Sequence, residues 1–462
     1  MTMSFRLRAI EVSDDMPFAN DALDRQKIVN FVAGIVSETG GHPLVLAIDS
    51  PYGTGKSTFV EMLSKVLNQQ NFQTVYFNAW KADHVSDPLI AMVAALDEAF
   101  PRSDTGSLVS ANNMVRVKKV AGILLKRGAA VGVKIATAGV VDLSADIEEA
   151  LADTAADTTT DIIDAFEKEE EAARCFRTEL DKVVAALPET GKKPTLVFFI
   201  DELDRCRPDF AMSLLERVKH MFDVPNIAFI LSVDKKQLEA VTARVYGEKI
   251  DATEYLRKFI DLEFGLPIPS RVKFIENAIN RAGLADKLQA RQNDRNTIIR
   301  ALSALANIYN MSLRAIERCI VRLKLVLAAT PDHQRLDTIH VALLIVLRSV
   351  DKDMFDKIVY RKTGHTQVMD YFRKLAGRYE IFDNAEGIAL EAVLIAELSS
   401  PQQLNEFRKK QLDMLNNSQI DSTEQRKLQH VLSLVESYTA DHFERNRMLR
   451  VAATIDMAAH VN

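Results

Sequence analysis

Cysteine is scarce in this 462-residue chain. The three present, Cys175, Cys206 and Cys319, are far apart, odd in number and show no metal-ligand spacing. That excludes a disulfide framework and predicts a reducing, cytoplasmic compartment. Tryptophan is scarcer still, with Trp80 alone. Long apolar runs are also lacking. The N-terminal stretch MTMSFRLRAIEVSDDM has no hydrophobic signal core. The most membrane-like stretch, Val120 to Leu143, is interrupted by Lys126, Arg127 and Lys134. No uncharged run approaches the ~20 residues a spanning helix needs, so no transmembrane segment is expected. Internal repeats and low-complexity tracts are absent. Positive charge is not in excess either: 58 Lys and Arg against 64 Asp and Glu leave −6. A globally basic nucleic-acid binder is thereby excluded, whereas a local basic patch is not. What remains is an ordinary globular composition, 47% hydrophobic and 26% charged, long enough for two or three domains.

The stretch Leu44 to Leu63, LVLAIDSPYGTGKSTFVEML, carries the strongest signal. An apolar run, Leu44 to Ile48, reads as a buried strand. A small glycine-containing turn follows, and an apolar-periodic helix begins at Ser57. This order suits a phosphate-binding loop, in which backbone N–H groups and a helix N-terminus converge on an anion. Gly53 and Gly55 allow angles and close approach that a Cβ would block. Thr54 and Thr58 complete the cradle. Lys56 is placed to reach the β- and γ-phosphates, and the Ser57 hydroxyl to coordinate Mg²⁺. The spacing GxxxxGK[ST] is met with one departure, since Ser50 stands where the first Gly usually is.

Before this loop, Phe5 to Val12 has a β-like start. Asp24 then looks like the cap of a helix carrying Ile28, Phe31, Val32 and Ile35 at helical spacing. That helix either helps enclose a base or simply packs. After the loop, Thr74 to Asn78 reads as a second strand. Asp87-Pro88 reads as the cap and first turn of a helix through Leu96. Trp80 sits between them, and a core position is favoured over one near a nucleotide. Residues 106–190 are charge-polarised. Arg116 to Lys134 carries +6 and Asp142 to Asp181 carries −11. The basic part either meets anionic lipid or nucleic acid, or the two parts pair with each other or face solvent. Strands are expected at Thr195 to Ile200, at Ile227 to Val233 and within Tyr255 to Phe264. Helices are expected over Phe210 to Phe222 and Lys236 to Val245. After Pro269 the pattern is helical to the end. Arg271 to Lys324 holds eleven basic and four acidic residues, a local +7. His340 has no ligand-spaced partner and reads as structural.

The second constellation is LVFFIDELDR. A hydrophobic strand delivers Asp201 and Glu202 at its C-terminal end, where open α/β sheets bind ligands. Asp201 suits Mg²⁺, through water, and Glu202 suits polarising an attacking water. Asp234 is either a γ-phosphate sensor or a helix cap. Arg314, in MSLRAIER, is either a lid cation reaching the nucleotide or part of a solvated helix face. Arg205 and Arg257 are candidate trans-acting fingers.

Ser50-Pro51-Tyr52-Gly53-Thr54-Gly55-Lys56-Ser57, Asn78-Ala79-Trp80, Asp201-Glu202-Leu203-Asp204-Arg205-Cys206 and Tyr255-Leu256-Arg257-Lys258 together resemble the KAP family of P-loop NTPases, over roughly residues 17–325. The resemblance implies an α/β fold with a parallel sheet of order 5-1-4-3-2, a helical insertion and an all-helical C-terminal lid and extension. The implied division is a P-loop core at 1–105 and 191–269, a charged helical insertion at 106–190, a helical lid at 270–330 and a helical C-terminal domain at 331–462. Members often carry transmembrane helices between the two Walker motifs. Here that place is charged, which favours a soluble branch with at most peripheral membrane contact. Family members are thought to organise signalling assemblies or to act in phage exclusion.

Three functions follow as expectations. The first is a Mg-dependent ATPase switch with Glu202, Lys56 and Arg314 catalytic, coupling nucleotide state to a protein partner, possible as a homo-oligomer. The second is a nucleic-acid-directed ATPase using the basic lid. The third is a scaffold that binds nucleotide without hydrolysing it. Adenine is preferred over guanine by resemblance, since SVDKKQ after the fourth strand does not match [NT]KxD.

Overall fold

The central strands of this protein are apolar on both faces, which is what a parallel sheet covered by helices demands. In the computed structural model, which describes residues 7, 10–100, 108–128, 162–267, 270–290, 294–331, 336–376, 384–416, 421–440 and 447–459, the chain falls into two compact units. The first comprises residues 12–20 and 25–267, the second residues 1–11, 21–24 and 268–462.

The first unit runs α1 (Gln26–Ser37), β1 (Leu44–Asp49), α2 (Lys56–Gln69), β2 (Gln73–Asn78), α3 (Ala79–Ala82), α4 (Pro88–Ala99), α5 (Leu108–Gly128) and α6 (Ile162–Ala185). It continues with β3 (Leu196–Asp201), α7 (Pro208–Met221), β4 (Ile227–Val233), α8 (Lys235–Tyr246), α9 (Ala252–Leu256) and β5 (Leu262–Gly265). The five strands form an all-parallel sheet of order β2-β3-β4-β1-β5, the expected 5-1-4-3-2 read from the other edge. β3 and β4 are buried at every residue. Their side chains alternate between two cores. Val197, Phe199 and Ile230 pack with α1 and α2. Leu196, Phe198, Ile200 and Phe229 pack on the other face with α4 to α8.

The apolar faces of α5 and α6 join that second core through Val117, Ala121, Phe176 and Leu180. Their outer faces carry the charge: Arg116 pairs with Glu179 at 3.9 Å, and Lys118 with Asp97 at 2.9 Å. The basic and acidic parts therefore meet at Arg116–Glu179. The middle of the insertion, including Lys134, lies outside the described residues, as do half of the Phe5 to Val12 start, Pro269 and Arg291. No helix among the described residues is long and apolar enough to cross a membrane.

Three local expectations are corrected. Asp24 does not cap α1: the cap position is Arg25, which makes no side-chain cap bond, and Asp24 has a left-handed φ of 53°. Phe31 lies on the outer side of α1, 58% exposed. The fifth strand is only Leu262–Gly265, because the Asp251 side chain accepts from Glu254 N–H and turns Ala252–Leu256 into a short helix. Asp87-Pro88 does start α4, with the Asp87 carboxylate accepting from Leu89 N–H at 2.8 Å.

The second unit, among the described residues, is helical: α10 (Arg271–Arg281), α11 (Ala285–Gln289), α12 (Asp294–Ile308), α13 (Leu313–Ala329), α14 (Thr338–Val350) and α15 (Lys352–Val359). α16 (His365–Ala376), α17 (Ala385–Leu398), α18 (Pro401–Leu415), α19 (Ser422–Ala440) and α20 (Arg447–Ala459) complete it. α14 is its central element, buried continuously from Thr338 to Leu347. His340 within it is 1% exposed and bonds Glu397 at 3.2 Å, a structural role. The basic excess after residue 270 is largely consumed internally. Arg271 donates to Asn307, Asn310 and the Met311 carbonyl. Arg281 pairs with Glu317, Arg295 with Glu276, Arg300 with Glu386 and Lys273 with Asp24, while Arg322 donates to Ser349.

Phe198 is fully buried, with ring centroids 5.3 Å from Phe229, 6.1 Å from Phe222 and 6.4 Å from Phe77. Phe198→Ala is predicted to destabilise the α/β unit by about 3–5 kcal/mol in denaturant unfolding; a loss under about 1 kcal/mol would contradict this packing.

Candidate functional site

The ends of four strands define the site. Asp49 of β1 is level with Val233 of β4, Asp201 of β3 with Ser232, and Asn78 of β2 with Asp201. The loop after β1 therefore opens on the same edge as the acidic turn after β3.

Ser50 is 3% exposed and its N–H donates to the Val233 carbonyl at 3.1 Å. Its hydroxyl donates across the loop to the Thr54 hydroxyl at 2.7 Å, which donates to the Pro51 carbonyl at 2.8 Å. Ser50 takes no positive φ, so glycine's freedom is not required there. Gly53 and Gly55 do need it, at φ 75° and 88°. Gly55 is the cap of α2, which begins at Lys56, one residue earlier than the sequence suggests. Thr54 and Thr58 are partly exposed, and Ser57 is exposed in the first turn of α2. Arg25, 2% exposed, holds the loop from outside by donating to the carbonyls of Pro267 at 2.9 Å and Thr54 at 3.3 Å.

Lys56 is drawn into the loop. Its Nζ donates to the Ser50 carbonyl at 2.6 Å, lies 3.6 Å from Asp204 Oδ2 and sits 5.3 Å from the Tyr52 ring centroid. Burial pushes its pKa down, against the pull of Asp204, Asp234, Asp201 and Asp49. Burial likewise pushes the Asp204 carboxyl up, against the pull of Lys56.

The acidic turn is built by its backbone. β3 delivers Asp201, 2% exposed, whose carboxylate accepts from the Tyr76 hydroxyl at 3.1 Å and from Glu202 N–H at 3.0 Å. That contact with Asp201, behind burial, raises the Tyr76 pKa. Glu202 takes a left-handed φ of 61°, uncommon for a residue with a Cβ. Its carboxylate accepts from Asn78 Nδ2 at 2.9 Å and pairs with Arg205. Cys206 Sγ donates to the Glu202 carbonyl at 3.6 Å, and its thiol is pushed up to about 12 by burial. The cysteine is thus part of the turn rather than a reactive group.

Arg205 is engaged within its own chain. Its guanidinium pairs with Glu202 and lies 5.2 Å from the Tyr52 ring and 5.7 Å from the Trp80 ring. Arg257 pairs with Glu254 on the surface. Trp80 is 53% exposed, a correction to the expected core position. Asn78 caps α3, accepting from Lys81 N–H at 2.9 Å, and that turn puts Trp80 outside. Asp234 is the cap residue of α8 by position, yet its side chain makes no cap bond. Arg314 is exposed on α13, in the helical unit rather than the one that holds the loop.

Sequence reasoning missed Arg25, Tyr76 and Asp204. The one available signal was for Asp204, three residues beyond Asp201 in the same short turn.

Strand, glycine loop and helix, with an acidic pair two strands away, form the frame of a P-loop domain. The pattern of the KAP family P-loop domain matches residues 25–329, well over half of the chain. This chain belongs to the KAP family of P-loop NTPases. No curated protein matches it. Among solved structures, the KAP chain is similar to ORC2 of Aeropyrum pernix in its ADPNP-ADP form, at 16% identity over 95% of each chain with a TM-score of 0.35. The ADP form of ORC2 gives 16% identity over 99% and 98% of the chains and a TM-score of 0.34. PCH-2 of C. elegans gives 13% identity over 72% and 71%, at 0.32. Likenesses this distant carry no weight in the assignment.

The exposure of Trp80 is directly measurable. Acrylamide should quench its emission as it does that of a solvated indole. Quenching as weak as that of a buried indole would contradict its placement beside Arg205.

Proposed function

We propose that this KAP protein is a Mg-dependent ATPase whose nucleotide state is passed to a protein partner. The observation that carries the reading is the shared sheet edge: a glycine loop bearing Lys56 opens beside Asp201 and Glu202. Phosphoryl transfer needs mainly positioning and charge neutralisation, and the residues at this edge offer both.

In this reading the N–H groups of Gly53, Thr54, Gly55, Lys56, Ser57 and Thr58 cradle the phosphates at the start of α2. Lys56 leaves the Ser50 carbonyl and meets the phosphate charge. Ser57 and Asp201 are the Mg²⁺ residues. Their oxygens suit a hard cation, and no cluster of three His, Cys, Asp or Glu able to hold a metal occurs among the described residues. Such a donor set fits an ion held largely by phosphate and water rather than a protein cage. Bound Mg²⁺ supplies neutralisation of phosphate charge. Glu202 orients the attacking water and takes its proton. Asn78 and Arg205 each occupy one carboxylate oxygen, and each oxygen keeps a second lone pair that can accept from that water. Arg314 is the proposed lid cation.

ATP rather than GTP is chosen on the family resemblance and the absence of a guanine-reading motif after β4. The same resemblance suggests the setting, a cytoplasmic role in anti-phage defence or a signalling assembly. The internal pairing of Arg271, Arg281, Arg295 and Arg300 weighs against a basic lid surface for nucleic acid.

Mg-ATP hydrolysis should be measurable for the wild type and fall roughly 10²–10⁴-fold in Glu202→Gln, which should still bind ATP. Lys56→Ala should lose binding as well. Wild-type turnover no higher than that of Lys56→Ala would overturn the proposal.

A further inference from the structure

Asp204 has no part in the chemistry proposed above, yet it is the acid nearest the loop lysine. It is 6% exposed and its side chain is nearly inaccessible. Its Oδ2 faces Lys56 Nζ at 3.6 Å and accepts from Asp234 N–H at 2.8 Å. Its own carbonyl accepts from the Tyr52 hydroxyl at 3.1 Å, and the Tyr52 ring lies beside the Lys56 ammonium. One residue thus joins the loop, the turn after β3 and the end of β4. A buried carboxylate needs a cation or several donors to be tolerated. Beside the N–H groups of Asp234 and of Asp204 itself and the Tyr52 hydroxyl, the positive charge facing Asp204 is Lys56.

We infer that Asp204 is a positioning residue for Lys56: it serves as the lysine's resting counter-ion and competes with an anionic phosphate ligand for the same ammonium. The competition follows from geometry. Lys56 cannot keep its contact with Asp204 and also give its full charge to a phosphate. Asp204 therefore holds the ammonium inside the loop when no ligand is present. It also lowers affinity for the ligand and so favours release. This inference rests on the nucleotide reading only for the identity of the competing anion; the pairing itself does not depend on it.

Asp204→Asn separates the two roles of the side chain. The amide oxygen still accepts from Asp234 N–H, while the charge is gone. Mg-ATP binding is measured by calorimetry on the full chain, after circular dichroism has confirmed folding. The variant should bind roughly fivefold tighter or more than the wild type. A structural lesion alone would weaken binding, so the gain is diagnostic. Unchanged or weaker binding by a folded variant would overturn the inference. Should Asp204→Asn not fold, Asp204→Ser serves, since it also removes the charge without adding bulk.

A second arm uses no nucleotide. Urea midpoints of the wild type, Lys56→Ala, Asp204→Asn and the double variant form a cycle. The double variant should shift the midpoint by less than the sum of the single shifts; additive shifts would overturn the pairing. If no variant, the wild type included, binds Mg-ATP, the proposed function fails, and this cycle still decides the pairing.

Discussion

Parallel hydrogen bonding fixes the level at which the strands end, and the site depends on that level. β4 lies between β1 and β3 and is in register with both. It thereby sets how the loop after Asp49 faces the turn after Asp201. The coupling continues past the strands: Ser50 N–H reaches back to Val233, Asp234 N–H reaches Asp204, and Lys235 N–H donates to Asp49 at 2.8 Å. These bonds tie the loop, the acidic turn and the start of α8 into one frame. The backbone of the site is thus set before a ligand arrives, which leaves chiefly the Lys56 side chain to change partners.

The electrostatics of that frame are asymmetric. One largely buried cation, Lys56, stands among Asp49, Asp201, Asp204 and Asp234. An acid-rich pocket alone would repel phosphate. Three features offset the repulsion in the proposed reading. The loop's N–H groups and the dipole of α2 attract the anion, a divalent cation arrives with it, and Lys56 has a choice of partner. Glu202 is likewise held at rest, by Asn78 and Arg205.

Much of this was legible in the sequence because it is written locally. A strand-loop-helix with GxGKS and an apolar strand ending in Asp-Glu needs no tertiary information beyond the rule that parallel strands share an edge. β3 and β4 were visible as continuous apolar runs. What escaped depended on contacts made at a distance or on single backbone turns. Trp80 follows an apolar strand and looks like core, but the cap at Asn78 rotates it outward. Tyr255 to Phe264 reads as strand, but the Asp251 cap makes its first turn helical. Asp24 has cap chemistry but a left-handed backbone. Arg25 and Asp204 act on residues 29 and 148 positions away, which no spacing rule reveals. Ser50, a departure from the usual loop, proved to be built in through its bond to Thr54.

The central claim is that the loop after β1 and the turn after β3 together receive a nucleotide. Hydrogen–deuterium exchange of the full chain with and without Mg-ATP tests it most directly. The account predicts slower exchange confined mainly to the backbone amides of Gly53 to Thr58 and of Asp201 to Cys206. Exchange unchanged in both segments at saturating Mg-ATP, or protection only in the helical unit, would contradict it.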